Sequence, residues 1–403
     1  MKSNIGEEKN MYISPMFKRL CIIPARGGSK RIPGKNIRPF LGKPILHYSI
    51  AAAKATGLFD TIMVSTDDAK VAEEALKAGA EIPFLRSQGN AGDFATTADV
   101  LLEVLKTFAQ QNVHFEQICC LYPTAVFAQA HHLMAGWLML QQGAEVTYPM
   151  VAFDYPVWRA LKSDSQGFVE MVWPEFAGSR SQDLQPLFHD AGQWYWLNVP
   201  SFMTSGQILG GKAKGLEISR LMAQDIDDEE DWALAEMKFA KFKTAHQTSE
   251  SIMSEERELQ FIPVKEHHGA DLLSWRNDPE TRAQSVQTEP ISEAEHWSWF
   301  QKKLKDPHCL MRMATTSGQC VGVVRADKDE EGWWWLSWTV APSFRGKGWG
   351  KIMVKNWVNL LQHFPVKALI RVDNQFSERM AIYAGLERIK TEREFLVFSN
   401  KVK

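Results

Sequence analysis

The residues best suited to bind an anion lie near the start of the chain, in Ile22–Asn36. This stretch follows an apolar run and reads IIPARGGSKRIPGKN, with three glycines and four cations. Glycines let backbone N–H groups approach an anion closely, and the cations offset several negative charges. The pattern therefore predicts a triphosphate site, with a solvated basic loop as the alternative. It is neither a Walker A sequence nor a GxGxxG fingerprint, which disfavours the ATPase and dinucleotide-binding classes.

An acidic run lies far along the chain, and its first two carboxylates flank an apolar residue. In extended geometry, Asp225-Ile226-Asp227 places both carboxylates on one face with Ile226 behind them. Hard oxygen ligands that act together with phosphates suit Mg²⁺. We therefore predict that Asp225 and Asp227 bind magnesium. The alternative is a solvated helix start, where carboxylates interact favourably with the helix dipole.

A second glycine-rich turn lies in the last third of the chain. Arg345-x-x-Gly348-x-Gly350 follows a predicted strand and leads into the predicted helix Lys351–His363. Backbone N–H groups at a helix N-terminus form a natural site for a pyrophosphate. An ordinary turn with three glycines and an arginine is the alternative interpretation.

Alternating strands and helices are predicted to position the first loop. The segments with strand-like or helical patterns are Leu20–Ile23, Pro44–Ala55, Thr61–Val64, Ala69–Ala78, Thr97–Phe108, Ile118–Leu121 and Glu145–Pro149. This alternation predicts an α/β fold with a doubly wound, mostly parallel sheet. Ligands of such sheets bind beyond the carboxyl ends of the strands, so we expect the chemistry in the loops after Ile23, Val64 and Leu121.

The length of 403 residues is sufficient for two or three domains. Helix Asp231–Phe242 is predicted to close the first domain, residues 18–242, and a polar linker is predicted at 243–257. Residues 258–403 are predicted to form an α+β domain. Its predicted elements are Gly269–Trp275, Ser292–Leu304, Met311–Thr315, Cys320–Ala326, Trp333–Val340 and Lys351–His363.

Composition and charge exclude several classes of protein. A formal charge of −2 gives no cationic field for nucleic acid, and no apolar stretch is long enough to cross a bilayer. Five cysteines without a CxxC pair are typical of reduced thiols, and the polar start lacks a signal core. We expect a cytoplasmic protein that binds neither nucleic acid nor membranes. The pairs His131-His132 and His267-His268 are interpreted as surface residues.

The first loop resembles a known family. PARGGSKRIPGKN is similar to the nucleotide-binding signature of CMP-sugar synthetases, which activate acidic sugars with CTP. The resemblance covers about residues 20–240 and implies a nucleotide-diphospho-sugar transferase-like fold and a homodimer. Further matching segments are Phe40–Ile45, Val64–Asp68, Phe84–Ser87, Phe94–Asp99, Leu121–Ala125 and Asp225–Asp227.

Within this family the chain resembles the pseudaminic acid cytidylyltransferases. The segments that carry this resemblance are Tyr122–Phe127, Arg180–Leu184 and Asp190–Trp196. Sialic acid members tend to read QPTSPLR where this chain has YPTAVF, which indicates a less polar sugar pocket. Such a pocket suits a sugar with a methyl group in place of a glycerol hydroxyl.

The resemblance implies a role for each matching position. It implies phosphate binding by Arg26, Gly27, Gly28 and Lys35, and contacts from Asn36 to the ribose or base. The implied nucleotide-binding residues are Ala25, Arg26, Gly27, Gly28, Lys35, Asn36, Arg86 and Thr96, the sugar-binding residues are Tyr122, Thr124, Arg180 and Gln182, and the metal ligands are Asp225 and Asp227. Arg26, Lys35 and Asp227 are the implied catalytic residues of an in-line attack by the sugar hydroxyl on CTP. Positioning and charge neutralisation dominate such a transfer, and we identify no general base.

The second glycine turn is similar to the acetyl-CoA loop of GCN5-related N-acetyltransferases (GNAT), over about residues 259–400. The residues that this resemblance assigns to acetyl-CoA are Val340, Arg345, Gly346, Gly348, Gly350 and Asn374. Family members often carry a proton-donating tyrosine seven residues after the asparagine. Ala381 occupies that position here, which leaves Tyr383 as the candidate acid.

Three hypotheses about function follow. The first is a bifunctional enzyme that transfers CMP from CTP to pseudaminic acid and acetylates the amine of a UDP-4-amino-4,6-dideoxy sugar, two steps of the nonulosonic acid biosynthesis that supports flagellin glycosylation. In the second, the C-terminal domain binds acetyl-CoA without catalysis, which Ala381 favours. In the third, the sugar is another nonulosonate, such as legionaminic or sialic acid.

Overall fold

The computed structural model describes residues 18–92, 94–250 and 259–400. The helices are α1 Ile45–Thr56, α2 Ala69–Lys77, α3 Gln88–Ala91, α4 Thr97–Gln110, α5 Ala130–Gln141, α6 Val199–Ser205, α7 Glu229–Glu250, α8 Gly269–Asn277, α9 Pro279–Ala283, α10 Glu293–Lys305, α11 Trp349–Leu360 and α12 Gln375–Tyr383. The strands of the N-terminal half are β1 Arg19–Pro24, β2 Pro39–Phe40, β3 Lys43–Pro44, β4 Thr61–Ser65, β5 Gln117–Leu121, β6 Val146–Ala152, β7 Leu161–Ser163, β8 Val169–Met171, β9 Phe188–Asp190, β10 Trp194–Asn198 and β11 Ala213–Glu217. The strands of the C-terminal half are β12 Gln260–Pro263, β13 Cys309–Thr316, β14 Gln319–Lys328, β15 Trp334–Val340, β16 Val366–Arg371, β17 Glu387–Glu392 and β18 Phe395–Ser399.

The N-terminal domain is built on a mostly parallel sheet in the order β11-β6-β10-β5-β1-β4, with β9 paired to β6. β1 is parallel to both β4 and β5, whereas β10 is antiparallel to β5 and β6. Apolar residues of β1 alternate between two cores: Cys21 and Ile23 pack on one face, and Leu20 and Ile22 on the other. Helices therefore cover both faces, and the predicted α/β architecture is confirmed.

Helix α5 packs closely on the tryptophans of β10 through Gly136. A Cβ atom at Gly136 would overlap the Trp194 ring and lie 3.0 Å from Cδ1 of Trp196. Both tryptophan rings are fully buried and have no room to move aside. We expect Gly136→Ala to lower the free energy of unfolding by about 1–3 kcal/mol, measured by urea denaturation. Gly89→Ala, where the closest atom is 3.9 Å away, is the matched control and should leave stability nearly unchanged.

The C-terminal domain is α+β, as predicted, and its sheet has the order β12-β13-β14-β15-β16-β18-β17. β15 and β16 are its one parallel pair among the described strands. Their pairing ends at Leu336 and Ala368, although β15 continues to Val340 and β16 to Arg371. The carboxyl ends of these two strands are therefore unpaired with each other and open a gap in the sheet.

A buried histidine should make the stability of the C-terminal domain depend on pH. His296 is 2% exposed, its ring stacks on Phe300, and its Nε2 lies 2.9 Å from the Gly269 carbonyl. Burial lowers the pKa of His296 below 6.5. The unfolded chain therefore binds a proton near pH 6.5 that the folded chain excludes, and stability falls as the pH drops below that value.

We expect a loss of up to about 1.4 kcal/mol per pH unit below pH 6.5 from this one group. His296→Gln keeps a side-chain donor and removes the titrating group. The stability of this variant should therefore fall less steeply as the pH drops. Thermal denaturation at pH 7.5 and 5.5 measures the stability of both proteins. Equal slopes for the two proteins would show that His296 is not the titrating group.

The two domains pack against each other within the described residues. One apolar cluster contains residues of both, such as Leu58 and Leu133 with Phe261 and Trp357. Gly57, in a left-handed conformation, lies so close to the Phe261 carbonyl that a Cβ atom would overlap it. The predicted linker at 243–257 begins inside a helix, because α7 continues to Glu250, beyond its predicted end at Phe242.

Among the described residues, no helix combines the length and the hydropathy needed to cross a membrane. The five cysteines are free thiols, and Cys21, Cys119 and Cys120 are buried.

Candidate functional site

The basic loop follows the carboxyl end of β1, as predicted, and it packs on the loop after β4. The Gly27 N–H donates to Oδ1 of Asp67 over 3.0 Å, and a Cβ atom at Gly27 would lie 2.6 Å from Cβ of Asp68. A side chain at position 27 would therefore separate the two loops. Gly28 differs, because no atom of the described residues lies within 4 Å of its Cβ position. That open space is where an anion can approach the backbone.

Asn36 and Lys35 fix the far end of the loop. Asn36 is buried, and its side-chain amide donates to the Arg26 carbonyl over 2.9 Å. This bond shapes the loop around Gly27, so Asn36 has a positioning role in the chain as described. The ammonium of Lys35 donates to the Ile226 carbonyl over 2.6 Å, across 191 residues of sequence.

The carboxylate pair lies directly against this loop. Asp227 pairs with Arg31 at 3.0 Å and with Lys35 at 3.7 Å. Ile226 is fully buried beneath, as its position between two carboxylates predicts. Desolvation, and next the charge of Asp227, raises the pKa of Asp225. The two carboxylates are thus close enough to repel each other, and a divalent cation would relieve that repulsion. The donor set fits Mg²⁺.

A cleft of about 620 Å³ adjoins the carboxylate pair through Asp225. Its walls carry charges of both signs, including Asp190, Arg220 and Lys238. Lys238, on α7, donates to the Ala223 carbonyl and to the Gln224 side chain. The cleft therefore offers charged groups of both signs and is large enough for a sugar-sized ligand.

Aromatic residues line the carboxyl end of β5 and the adjacent amino end of β10. Tyr122 packs edge-to-face on Tyr195, and its hydroxyl lies 3.2 Å from that of Thr97. Burial raises the pKa of Tyr122 to about 12, so its hydroxyl is protonated at neutral pH. The Tyr195 hydroxyl donates to Asp190, which lines the cleft.

Arg86 and Thr96 act on the scaffold in this structure. Arg86 is buried and donates to the Ser65 hydroxyl over 3.1 Å and to the Ser65 carbonyl over 2.5 Å. The Thr96 hydroxyl belongs to the capping box of α4, where Asp99 is its partner. Arg86 thus stabilises the end of β4, and Thr96 caps the N-terminus of α4. Their roles toward a nucleotide stay predictions.

The residues predicted to bind the sugar are divided between two places. Tyr122 and Thr124 follow β5, near the cleft, whereas Arg180 and Gln182 lie on an exposed 3₁₀ turn. Arg180 binds Asp183 of the same turn bidentately, at 2.6 and 3.1 Å. In the chain as described, this ion pair occupies the guanidinium that was predicted to bind a sugar carboxylate.

Sequence reasoning missed three residues of this site. Asp67 anchors Gly27, Asp190 links Tyr195 to the cleft, and Gln193 is buried with its side-chain oxygen unpaired. All three lie in segments that already matched the CMP-sugar synthetases. That signal could have identified them.

The second glycine turn has the geometry of an anion site. Gly348 caps α11 with φ of 82°, and Gly346 has φ of 71° with no atom of the described residues within 4 Å of its Cβ position. The turn that leads into α11 thus has open space at Gly346, in the domain whose sheet is open between β15 and β16. Gly350 has a different role, because its Cβ position lies 2.5 Å from the Met380 sulfur, so glycine there lets α12 pack on α11.

Arg345 does not face this space in the structure. Its guanidinium pairs with Asp278 at 2.7 Å and with Glu280 at 2.9 Å. The side chain of Asn374 caps α12 by accepting from the Ser377 N–H. Val340 is half-buried at the end of β15. Arg345 and Asn374 thus hold elements around the turn, and their predicted contacts with acetyl-CoA stay predictions.

Tyr383 and Ala381 differ in accessibility. Tyr383 is 42% exposed at the end of α12, and Lys351 and Lys355 of α11 lie over its ring at 5.7 and 5.4 Å. Ala381 is fully buried, so the position that often carries the catalytic tyrosine belongs to the core here.

The α/β fold, with its glycine and cation loop beside a carboxylate pair, defines the N-terminal half as a nucleotidyltransferase. Residues 20–159 match the family model described as "Cytidylyltransferase", and residues 258–387 match "Acetyltransferase (GNAT) domain". The chain belongs to the cytidylyltransferase family that includes the pseudaminic acid cytidylyltransferases, and it carries a GNAT acetyltransferase domain in addition.

Three curated relatives illustrate this similarity. Pseudaminic acid cytidylyltransferase of Campylobacter jejuni is 36% identical over 236 residues, which cover 58% of this chain and 100% of that protein. CMP-N,N'-diacetyllegionaminic acid synthase of Legionella pneumophila is 34% identical, over 54% of this chain and 94% of that protein. Pseudaminic acid cytidylyltransferase and UDP-2,4-diacetamido-2,4,6-trideoxy-beta-L-altropyranose hydrolase of Helicobacter pylori is 30% identical, over 52% of this chain and 40% of that protein.

Proposed function

We propose that the N-terminal domain transfers CMP from CTP to pseudaminic acid and releases pyrophosphate. The observation that carries this proposal is the contact of the basic loop with the carboxylate pair, through Arg31, Lys35 and Asp227. The loop offers backbone N–H groups and cations for a triphosphate, and the carboxylates suit the cation that accompanies it. The relative from Campylobacter jejuni supports pseudaminic acid as the acceptor.

In this proposal each residue of the loop acts by position or charge. Gly28 lets the triphosphate reach the backbone, Arg26 and Lys35 neutralise its charge, and Asn36 holds the loop in shape. Asp225 and Asp227 hold Mg²⁺, which supplies charge neutralisation at the phosphate when bound. The sugar acid occupies the cleft beside Asp225, where Lys238 meets its carboxylate. The sugar hydroxyl then lies in line with the α-phosphorus.

A panel of sugar acids tests the acceptor. The full chain is incubated with CTP, Mg²⁺ and one nine-carbon keto acid at a time, and mass spectrometry detects the CMP-sugar. We expect product with pseudaminic acid above the others. Preference for legionaminic acid would favour the second candidate acceptor, which the relative from Legionella pneumophila supports. Product with none of them would contradict the proposal.

We propose further that the C-terminal domain binds acetyl-CoA and acetylates the amine of a UDP-4-amino-4,6-dideoxy sugar. The open space at Gly346, in the turn before α11, and the gap between β15 and β16 support a pyrophosphate-bearing cofactor. Tyr383 would protonate the departing thiolate. A thiol-release assay with acetyl-CoA and the amino-sugar nucleotide tests this step. Acetyl-CoA binding without thiol release would favour a non-catalytic module. The buried Ala381 would then mark the loss of the proton-donating tyrosine that family members often carry at this position.

We propose domain boundaries at 18–242 and 258–403, with 243–257 as the connection.

We also propose a homodimer that forms through the segment 153–188. This segment exposes several large apolar side chains, namely Phe153, Tyr155, Leu161, Phe168, Val169, Val172 and Phe188. Light scattering of the full chain would reveal the dimer.

Since CTP and acetyl-CoA are cytoplasmic metabolites, we propose a cytoplasmic location.

A further inference from the structure

Three histidines from both domains meet where the domains pack. His131 and His132 lie in the first turn of α5, in the N-terminal domain, and His363 follows α11, in the C-terminal domain. We call these residues the histidine cluster. The interpretation of His132 and His268 as surface residues is wrong, because only 3% and 5% of them are exposed. Neither proposed activity uses the cluster, which lies on helices away from the glycine loops.

The distances within the histidine cluster suit a shared ligand. One ring nitrogen from each residue lies within 4.8 Å of the other two. The ring centroids are 4.2 Å apart for the pair on α5 and 5.6 Å from each of these to His363. Zinc–nitrogen bonds of about 2.0–2.1 Å at tetrahedral angles bring such nitrogens to about 3.3 Å. Side-chain rotations that move the ring nitrogens by about 1.5 Å therefore bring them to the separation that a shared metal ion requires.

The state of His132 points to a missing partner. Its Nδ1 atom is buried and has no hydrogen-bond partner among the described residues. A buried polar atom without a partner is costly, and such atoms in native proteins need an explanation.

The exposed position of His363 provides access to the cluster. Three imidazoles with one open position are a common zinc donor set, in which water completes the tetrahedron. Imidazole nitrogens also suit Cu²⁺ and Ni²⁺, whereas Mg²⁺ prefers oxygen ligands. The cluster thus differs in chemistry from the carboxylate pair, and the two sites can be distinguished by their metals.

We propose that His131, His132 and His363 bind one divalent transition-metal ion, Zn²⁺ in the first instance, and that this ion links the two domains. Because the ligands come from helix α5 of one domain and from the end of α11 in the other, binding holds these helices together. The site has a structural role and is independent of both proposed activities.

The test uses the full chain without an affinity tag, stripped with a chelator and then exposed to Zn²⁺ and desalted. We expect one zinc per chain by elemental analysis, and the intense visible absorption of a tetrahedral site when Co²⁺ replaces zinc. His363→Gln is the main variant, because an exposed residue can be replaced without unfolding the core. It should bind zinc at least about 10-fold more weakly. His308→Gln, an exposed histidine of the same domain, is the matched control and should bind zinc normally.

Hydrogen exchange tests the link between the domains. Zinc should slow exchange in α5 and in residues 361–364 of the wild-type chain, and not in His363→Gln. A chain that retains no zinc, or that retains it equally in His363→Gln, would overturn the metal site. Zinc binding without slower exchange in both segments would overturn the link.

Discussion

Replacing Asp227 with alanine is expected to reduce CMP transfer by at least about 100-fold while the chain stays folded. Asp227 is half-exposed and contacts both Arg31 and Lys35, so its loss removes the residue that joins the carboxylate pair to the basic loop. It also leaves Asp225 as the one remaining carboxylate of the pair. Transfer rates measured across a range of Mg²⁺ concentrations check this prediction. The variant should need far more Mg²⁺ for its residual activity.

Glu230→Ala is the matched control, because Glu230 lies three residues away in the acidic start of α7 and is exposed. It should transfer CMP at the wild-type rate. An Asp227→Ala protein with near wild-type turnover would exclude Asp227 as a metal ligand. A loss of activity with unchanged Mg²⁺ dependence would assign Asp227 to positioning Arg31 and Lys35 instead.

Replacing Gly348 with valine is expected to weaken acetyl-CoA binding by roughly 10–100-fold, the effect of one or two lost charge-assisted hydrogen bonds. The valine side chain would lie at the N-terminus of α11, beside the N–H groups proposed to bind the pyrophosphate, and its branched Cβ is strained at φ of 82°. The pyrophosphate would then be kept away from the backbone N–H groups. Calorimetric titration with acetyl-CoA measures the effect, and CMP transfer by the same protein should be unchanged.

Gly318→Val separates strain from binding. Gly318 lies in the turn between β13 and β14 with φ of 77°, and no atom of the described residues lies within 4 Å of its Cβ position. The substitution therefore carries similar backbone strain at a distance from α11. It should bind acetyl-CoA like the wild type. Equal weakening in both variants would mean that strain, rather than the loss of a pyrophosphate site, explains Gly348→Val.

The fold could be predicted from the sequence because its signals are local. The apolar runs before the basic loop and around Cys119 are short, buried strands, and helical spacing separates them. The end of α7 could not be predicted in this way. Residues 243–250 are polar with little periodicity, yet they continue the helix to Glu250.

The candidate site could be predicted only in part, because its geometry joins distant segments. The alternation at Asp225–Asp227 correctly placed Ile226 in the core. The contact between Lys35 and Ile226 spans 191 residues and has no local signal. The carboxylates that pair with Arg180 and Arg345 were not predicted either, because a motif does not reveal which carboxylate lies opposite a cation. His132 appears polar in sequence, and only the packing of α5 against α11 buries it.

Calorimetric titration of CTP into the full chain in the presence of Mg²⁺ tests most directly whether residues 24–36 and the carboxylate pair form one triphosphate site. The account predicts one CTP bound per chain, with much weaker binding when Mg²⁺ is removed or Lys35 is replaced by methionine. No heat on adding CTP, or equal binding by the Lys35→Met protein, would contradict it.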